Sequence, residues 1–270
     1  IVGAINDSFN PTSAICLGNN LSSLALRFNP PSSSRALAMD KDVYFNTDPL
    51  RTTEIETNLL YLSSGGVLFY SILDDDSAGP IPPGSPIQMN SPGLDSITGM
   101  AVDPWTHYLY LVGTAAGIPT IVQYDPTFVD PGKPGGRILS SVDQNAYSFL
   151  RTLQDVTVKD DGVYVLNEVD ADQTTLPLLL QFDRDLGFIK GFGTISSEFV
   201  EGRYQIVAST TAGKFYRPKR FFAQENDGLY VVDDSPSFDK IVYINTALDP
   251  GSWRTYPVNA GDGEPFAFFD

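Results

Sequence analysis

The chain has 270 residues, 42% of them hydrophobic, and its 33 acidic against 17 basic side chains give a formal net charge of −16. That balance argues against nucleic acid as a partner, because phosphate binding requires clustered Lys and Arg, and it disfavours anionic membrane surfaces. No apolar run approaches the ~20 residues that span a bilayer, and a single cysteine, Cys16, leaves no intramolecular disulfide or zinc–thiolate cluster to build.

Long amphipathic helices are not signalled. Short alternating runs bounded by Gly, Pro, Asn or Asp, in a chain with 17 Phe and 13 Tyr, predict strands and turns. Residues 1–5, 12–17 and 23–28 are expected strands, and Cys16, between Ile15 and Leu17, is expected to be a buried thiol. A unit of four strands follows: 36–40, a second strand at Val43-Tyr44-Phe45, then 58–62 and 67–73. The same order returns three times. The further first strands are 99–103, 155–160 and 221–227, and the second strands centre on Tyr110, Tyr164 and Tyr230. Third strands are expected at 120–124, 178–182 and 240–244, and fourth strands at 137–142, 188–192 and 253–258. Residues 265–270 look like one more first strand.

A lone four-stranded sheet leaves two apolar faces and two edges, whereas several packed face to face around an axis bury both faces of each. The expected fold is therefore all-β, one β-propeller domain over 1–270. Its blades fall at about 35–75, 96–142, 149–193 and 216–258, and a composite blade of 265–270 with 1–28 closes the ring. Spacing predicts five blades, or six if residues 194–214 hide another.

Asp161-Gly162-Val163-Tyr164-Val165, then Leu180-Gln181-Phe182-Asp183, then Phe188 to Gly193 resemble the NHL repeat, as do 227–245 and, more loosely, 99–125. The family's Asp after the Tyr-Val strand is matched by Asn167 and Asp233, but its following Asn-Arg pair is missing. The chain thus resembles a divergent member of the NHL, YVTN and gluconolactonase-like propellers. The last of these implies a divalent ion held at axial strand ends, where Asn46, Asn167 and Asp233 stand here.

In a propeller, the second-to-third-strand loops and the inter-blade segments share one face, and loops carry function while sheets hold them. That face is expected to collect Asp48, Glu54, Glu56, Glu168, Asp170, Asp172, Asp233, Asp234 and Asp239, with Asp74 to Asp76, Asp95, Asp143, Asp262 and Glu264 between blades. Oxygen ligands suit calcium or another divalent cation, with Asn46, Asn167, Glu168, Asp233 and Asp234 as candidates; solvated acidic loops are the competing reading. The opposite face is acidic too, with Asp40, Asp42, Asp103, Asp160, Asp161 and Asp227.

One segment is basic. Lys214, Tyr216, Arg217, Lys219 and Arg220 are candidates to hold an anionic group, or else form a cationic rim paired with Glu198 and Glu201. His107 is expected on a surface turn, and Trp105 and Trp253 over blade ends. No catalytic residue is assigned. The expected function is a non-enzymatic binding or scaffold propeller, monomeric, that recognises a protein or small molecule through its loop-rich face. The alternative is a metal-dependent lactonase- or esterase-like hydrolase with its site on the axis. Few Lys and abundant Asn, Ser, Thr and Asp, in a chain that begins at Ile1, suggest an extracytoplasmic place: secreted, periplasmic or lipid-anchored.

Overall fold

The computed structural model describes residues 14–16, 25–27, 34–45, 55–73, 87–126, 135–209, 211–223, 228–234 and 240–257. Four sheets of four antiparallel strands follow one another in the chain, each a simple meander. Sheet I comprises Ser34–Phe45, Ile55–Ser64, Val67–Leu73 and Ile87–Gln88. Sheet II comprises Ser96–Val102, Leu109–Ala115, Ile118–Asp125 and Arg137–Asp143. Sheet III comprises Thr152–Lys159, Gly162–Glu168, Leu179–Phe182 and Phe188–Phe192. Sheet IV comprises Pro218–Ala223, Gly228–Asp233, Lys240–Asn245 and Arg254–Pro257. The one helical turn among the described residues is Pro250–Ser252, and no helix there is long and apolar enough to cross a membrane.

The second strands show why the sheets stack. Leu109 and Leu111 enter a core with Leu59, Tyr61 and Leu68 of sheet I. Their alternates Tyr110 and Val112 enter another with Val163, Val165 and Leu180 of sheet III. Tyr164 and Leu166 in turn pack with Leu229, Val231 and Val242 of sheet IV. A strand buried on both faces needs an almost continuous apolar run, and successive side chains supply the two faces. First strands of neighbouring sheets lie against one another, I on II, II on III and III on IV. Sheets packed face to face in chain order with their first strands innermost are propeller blades.

The repeated tyrosine also bolts sheet II to sheet III and sheet III to sheet IV. Tyr110 Oη donates to Arg184 O (2.8 Å) in the turn after the third strand of sheet III, and Tyr164 Oη donates to Thr246 O (2.7 Å) in the matching turn of sheet IV. Each ring fills a sheet–sheet core while its hydroxyl satisfies a carbonyl of the neighbour.

Three expectations are corrected. In sheet I, Val43-Tyr44-Phe45 belongs to the long first strand, and the second-strand tyrosine is the fully buried Tyr61. Residues 58–62 are therefore second strand and 67–73 third. The described residues of 194–214 form no further blade: they hold the hairpin Ser197–Val200/Arg203–Ile206 and a parallel pair, Thr194–Ile195 with Lys214–Phe215. Tyr230, unlike its counterparts, is half-buried, with its ring 5.1 Å from that of Tyr243. The closing blade and the count of five rest on 1–28 and 265–270; of these only Ala14–Cys16, paired with Ala25–Arg27, lies inside the described residues.

Replacing Tyr164 by Phe keeps the packing and takes the hydroxyl from both its acceptors, Thr246 O and Asp161 Oδ1 (2.9 Å). Urea unfolding should show a loss of about 1–2 kcal/mol; an unchanged midpoint would mean that the hydroxyl does not tie sheet III to sheet IV.

Candidate functional site

In sheets II, III and IV the first strand carries a register shift at the same place, between Ile97 and Gly99, Leu153 and Asp155, and Pro218 and Arg220. A bulge re-aims one residue out of the ladder; here the residues are Thr98, Gln154 and Lys219. Thr98 Oγ1 donates to Leu153 O of the next blade (2.6 Å). Gln154 Nε2 and Lys219 Nζ both reach the Glu168 carboxylate, the lysine at 3.1 Å. Arg220 Nη1 donates to Gln154 O (2.8 Å) and Thr98 O (3.2 Å), so one guanidinium spans three blades.

Beside it, Asp155 accepts from Phe221 N of sheet IV (2.9 Å). Glycine is required opposite, because a Cβ at Gly99 would fall 2.6 Å from Asp155 Cα. Burial pushes the Asp155 carboxyl up to about 6, against the pull of the Phe221 amide and the Arg220 guanidinium.

In sheets III and IV the position three residues past the tyrosine is an anchor for the chain entering the blade. Asn167, fully buried, accepts from Arg151 N (2.8 Å) through Oδ1 and donates through Nδ2 to Phe149 O (3.0 Å) and Pro177 O (2.9 Å). Asp233, equally buried, accepts from Tyr216 N and Arg217 N (2.7 Å) and from the buried Lys240 Nζ (3.0 Å). Burial raises the Asp233 carboxyl, with Lys240 and the two amides opposing. Lys240 Nζ also holds Ser209 O (2.6 Å) and Lys214 O (3.2 Å), tying the 194–214 insertion to sheet IV. In sheet II the place is Gly113, where a Cβ would meet Ser96 O at 1.8 Å. The first strand comes too close there for an anchoring side chain.

These roles decide the expected cation set. Asn46 lies outside the described residues. Asn167 spends its oxygen on a backbone amide, Asp233 spends its oxygens on backbone amides and Lys240 Nζ, Glu168 is held by Lys219 and Gln154, and the exposed Asp234 joins the group through its amide, which donates to Arg217 O (3.0 Å). Among the described residues no three His, Cys, Asp or Glu side chains are grouped to hold an ion. Of the acids expected on the same face, Asp48, Glu54, Asp74 to Asp76, Asp239, Asp262 and Glu264 also lie outside the described residues.

The side chains of the basic segment have partners other than those expected. Lys219 pairs with Glu168 rather than with Glu198 or Glu201, which stand exposed on the hairpin. Lys214 donates to Thr194 Oγ1 (2.8 Å), and the Arg217 guanidinium lies 5.7 Å from the Tyr216 ring centroid. Arg217, Arg151, Gln144, Glu168 and Asp170 line a cleft of about 470 Å³ that is floored in part by Val169 and Ile206.

The opposite face is occupied by closed pairs. Asp103 is fully buried and takes Arg184 Nε at 2.9 Å, while the guanidinium stacks 4.8 Å over the exposed Trp105. His107, at φ 59°, places Nδ1 2.9 Å from Oδ1 of the buried Asp40, linking sheets I and II. Trp253 covers a blade end as expected, edge-on to Phe215 at 5.1 Å. Sequence reasoning passed over Arg184, Asp155, Lys240 and the hairpin. The signal for the hairpin was present in Glu201-Gly202, a two-residue turn with both φ positive, at 51° and 82°.

The raised Asp155 carboxyl sets a pH dependence. Between the unfolded carboxyl's value near 4 and about 6, the folded chain holds a proton that the unfolded chain has released, so this group's contribution makes stability fall as pH rises through that window and level off above it. Asp155→Asn should remove that slope from a series of urea midpoints; parallel curves for the two proteins would show that Asp155 titrates normally.

No family model and no curated protein matches the chain. Among solved structures it is similar to a chain of the crystal structure of a nidogen/laminin complex, at 13% identity and a TM-score of 0.42, over 83% of this chain and 82% of that one.

Proposed function

We propose that this protein is an extracytoplasmic binding module that takes a protein partner on its loop-rich face. The observation that carries the reading is the hairpin at residues 197–206. Phe199 is 64% exposed, Tyr204 46% and Val200 39%, all on one short ribbon that stands beside the 470 Å³ cleft. Scattered apolar residues on a surface need no explanation, but aromatic side chains grouped on one short hairpin mark a contact surface.

The scaffold supports that use. The cleft is lined by side chains set on strand ends and anchored loops, and its charges are of both signs, which favours recognition of a mixed polar surface over one strongly charged ligand. Across the molecule, by contrast, Arg184 is consumed in an ion pair with Asp103 and His107 in a hydrogen bond with Asp40, both between neighbouring blades.

Capture from an extracytoplasmic fraction tests the face directly. Immobilised protein carrying Phe199→Ser with Tyr204→Ser should lose a partner that wild type and Trp105→Ala, altered on the other face, both retain. Equal recovery by all three proteins, at equal melting temperature, would overturn the reading.

A further inference from the structure

The hairpin is more than an apolar projection, because its two aromatic rings share a cavity with carboxylates. Phe199 and Tyr204 are directly opposite in the ladder, with centroids 5.1 Å apart and planes at 64°. A second cavity, of about 430 Å³, is lined by both rings, by Asp170 and Asp172 from the loop after the second strand of sheet III, and by Arg203. That loop is shaped before any ligand arrives: Val169 is buried, and Asp170 and Gln173 exchange hydrogen bonds, Asp170 N to Gln173 Oε1 (3.2 Å) and Gln173 N to Asp170 O (2.9 Å).

We infer that this notch is a receptor for a basic side chain, lysine or arginine, presented by an extended segment of the protein partner; this rests on the binding reading above and adds the partner's chemistry. Aromatic faces alone would select an apolar group, and carboxylates alone a small hard cation. The two together suit an organic cation on an alkyl stem, whose charge is drawn to the ring faces and carboxylates while its methylenes cover the rings. Arg203 supplies one positive charge to the lining against the two carboxylates of Asp170 and Asp172, so the notch keeps a negative surplus. An anion would meet that surplus, and a net charge of −16 steers cationic segments toward the molecule.

The test uses a fluorescent hexalysine peptide in anisotropy titrations at physiological salt, with hexaglutamate as the control peptide. Wild type should bind hexalysine and not hexaglutamate. Phe199→Ala with Tyr204→Ala, which leaves the charge unchanged, should weaken binding about tenfold. Asp170→Asn with Asp172→Asn should weaken it as much or more, and Asp185→Asn, an exposed acid on the opposite face, should leave it alone. Hexalysine affinity that follows net charge alone, with the aromatic variant like wild type and Asp185→Asn as damaging as the notch variants, would overturn the inference as a general attraction to an acidic surface. Failure of hexalysine to bind, together with a wild-type dimer on light scattering that the aromatic variant loses, would assign the hairpin to a second copy instead. Failure of hexalysine to bind while captured partner still depends on Phe199 and Tyr204 would sink the cation site and leave the binding face standing.

Discussion

The first strands of sheets II, III and IV meet almost backbone to backbone, and the rest of the molecule is arranged around that approach. Gly99 leaves the room, Asp155 receives the Phe221 amide, and Arg220 clasps the carbonyls of Thr98 and Gln154. Strands this close cannot all continue their ladders undisturbed. Each takes a bulge at the same level, and the bulges turn Gln154 and Lys219 onto Glu168. The geometry that packs the blades therefore also sets the rim of the cleft.

Above that level the second strands tie the molecule in two ways. A tyrosine hydroxyl reaches forward to the next sheet at Tyr110 and Tyr164, and three residues past the tyrosine Asn167 and Asp233 reach back to the chain entering their own sheets. Both are buried polar groups with partners in place, so each costs little to bury and fixes one orientation. The loops they hold, 169–178 and the insertion pinned by Lys240, bring Asp170 and Asp172 beside the aromatic hairpin.

Much of this was legible in the chain. Tyr110, Tyr164 and Tyr230, each flanked by β-branched or leucine residues, mark second strands, and three of the four sheets fall where the repeat places them. Sheet I misled because Val43-Tyr44-Phe45 and Leu60-Tyr61-Leu62 carry the same apolar–Tyr–apolar pattern, and that pattern does not encode strand order. The discriminating mark was the turn after Tyr61, where Gly65, at φ 59°, leads straight to the third strand as Ala116-Gly117 does after Tyr110. The basic segment was legible as a site feature, but its partner was not, since Lys219 and Glu168 meet only through a bulge and a fold. Asn167 and Asp233 read as candidate cation ligands because a polar residue at a strand end looks the same whether it faces an ion or a neighbouring amide.

The proposed partner-binding face carries the cleft and the hairpin, and the other face carries the blade-to-blade contacts Asp103–Arg184 and Asp40–His107. Hydrogen–deuterium exchange with a captured partner bound measures this most directly. Exchange should slow at residues 168–172 and 197–206 and stay unchanged at 103–108 and 183–187. Slowing confined to 103–108 and 183–187 would contradict it.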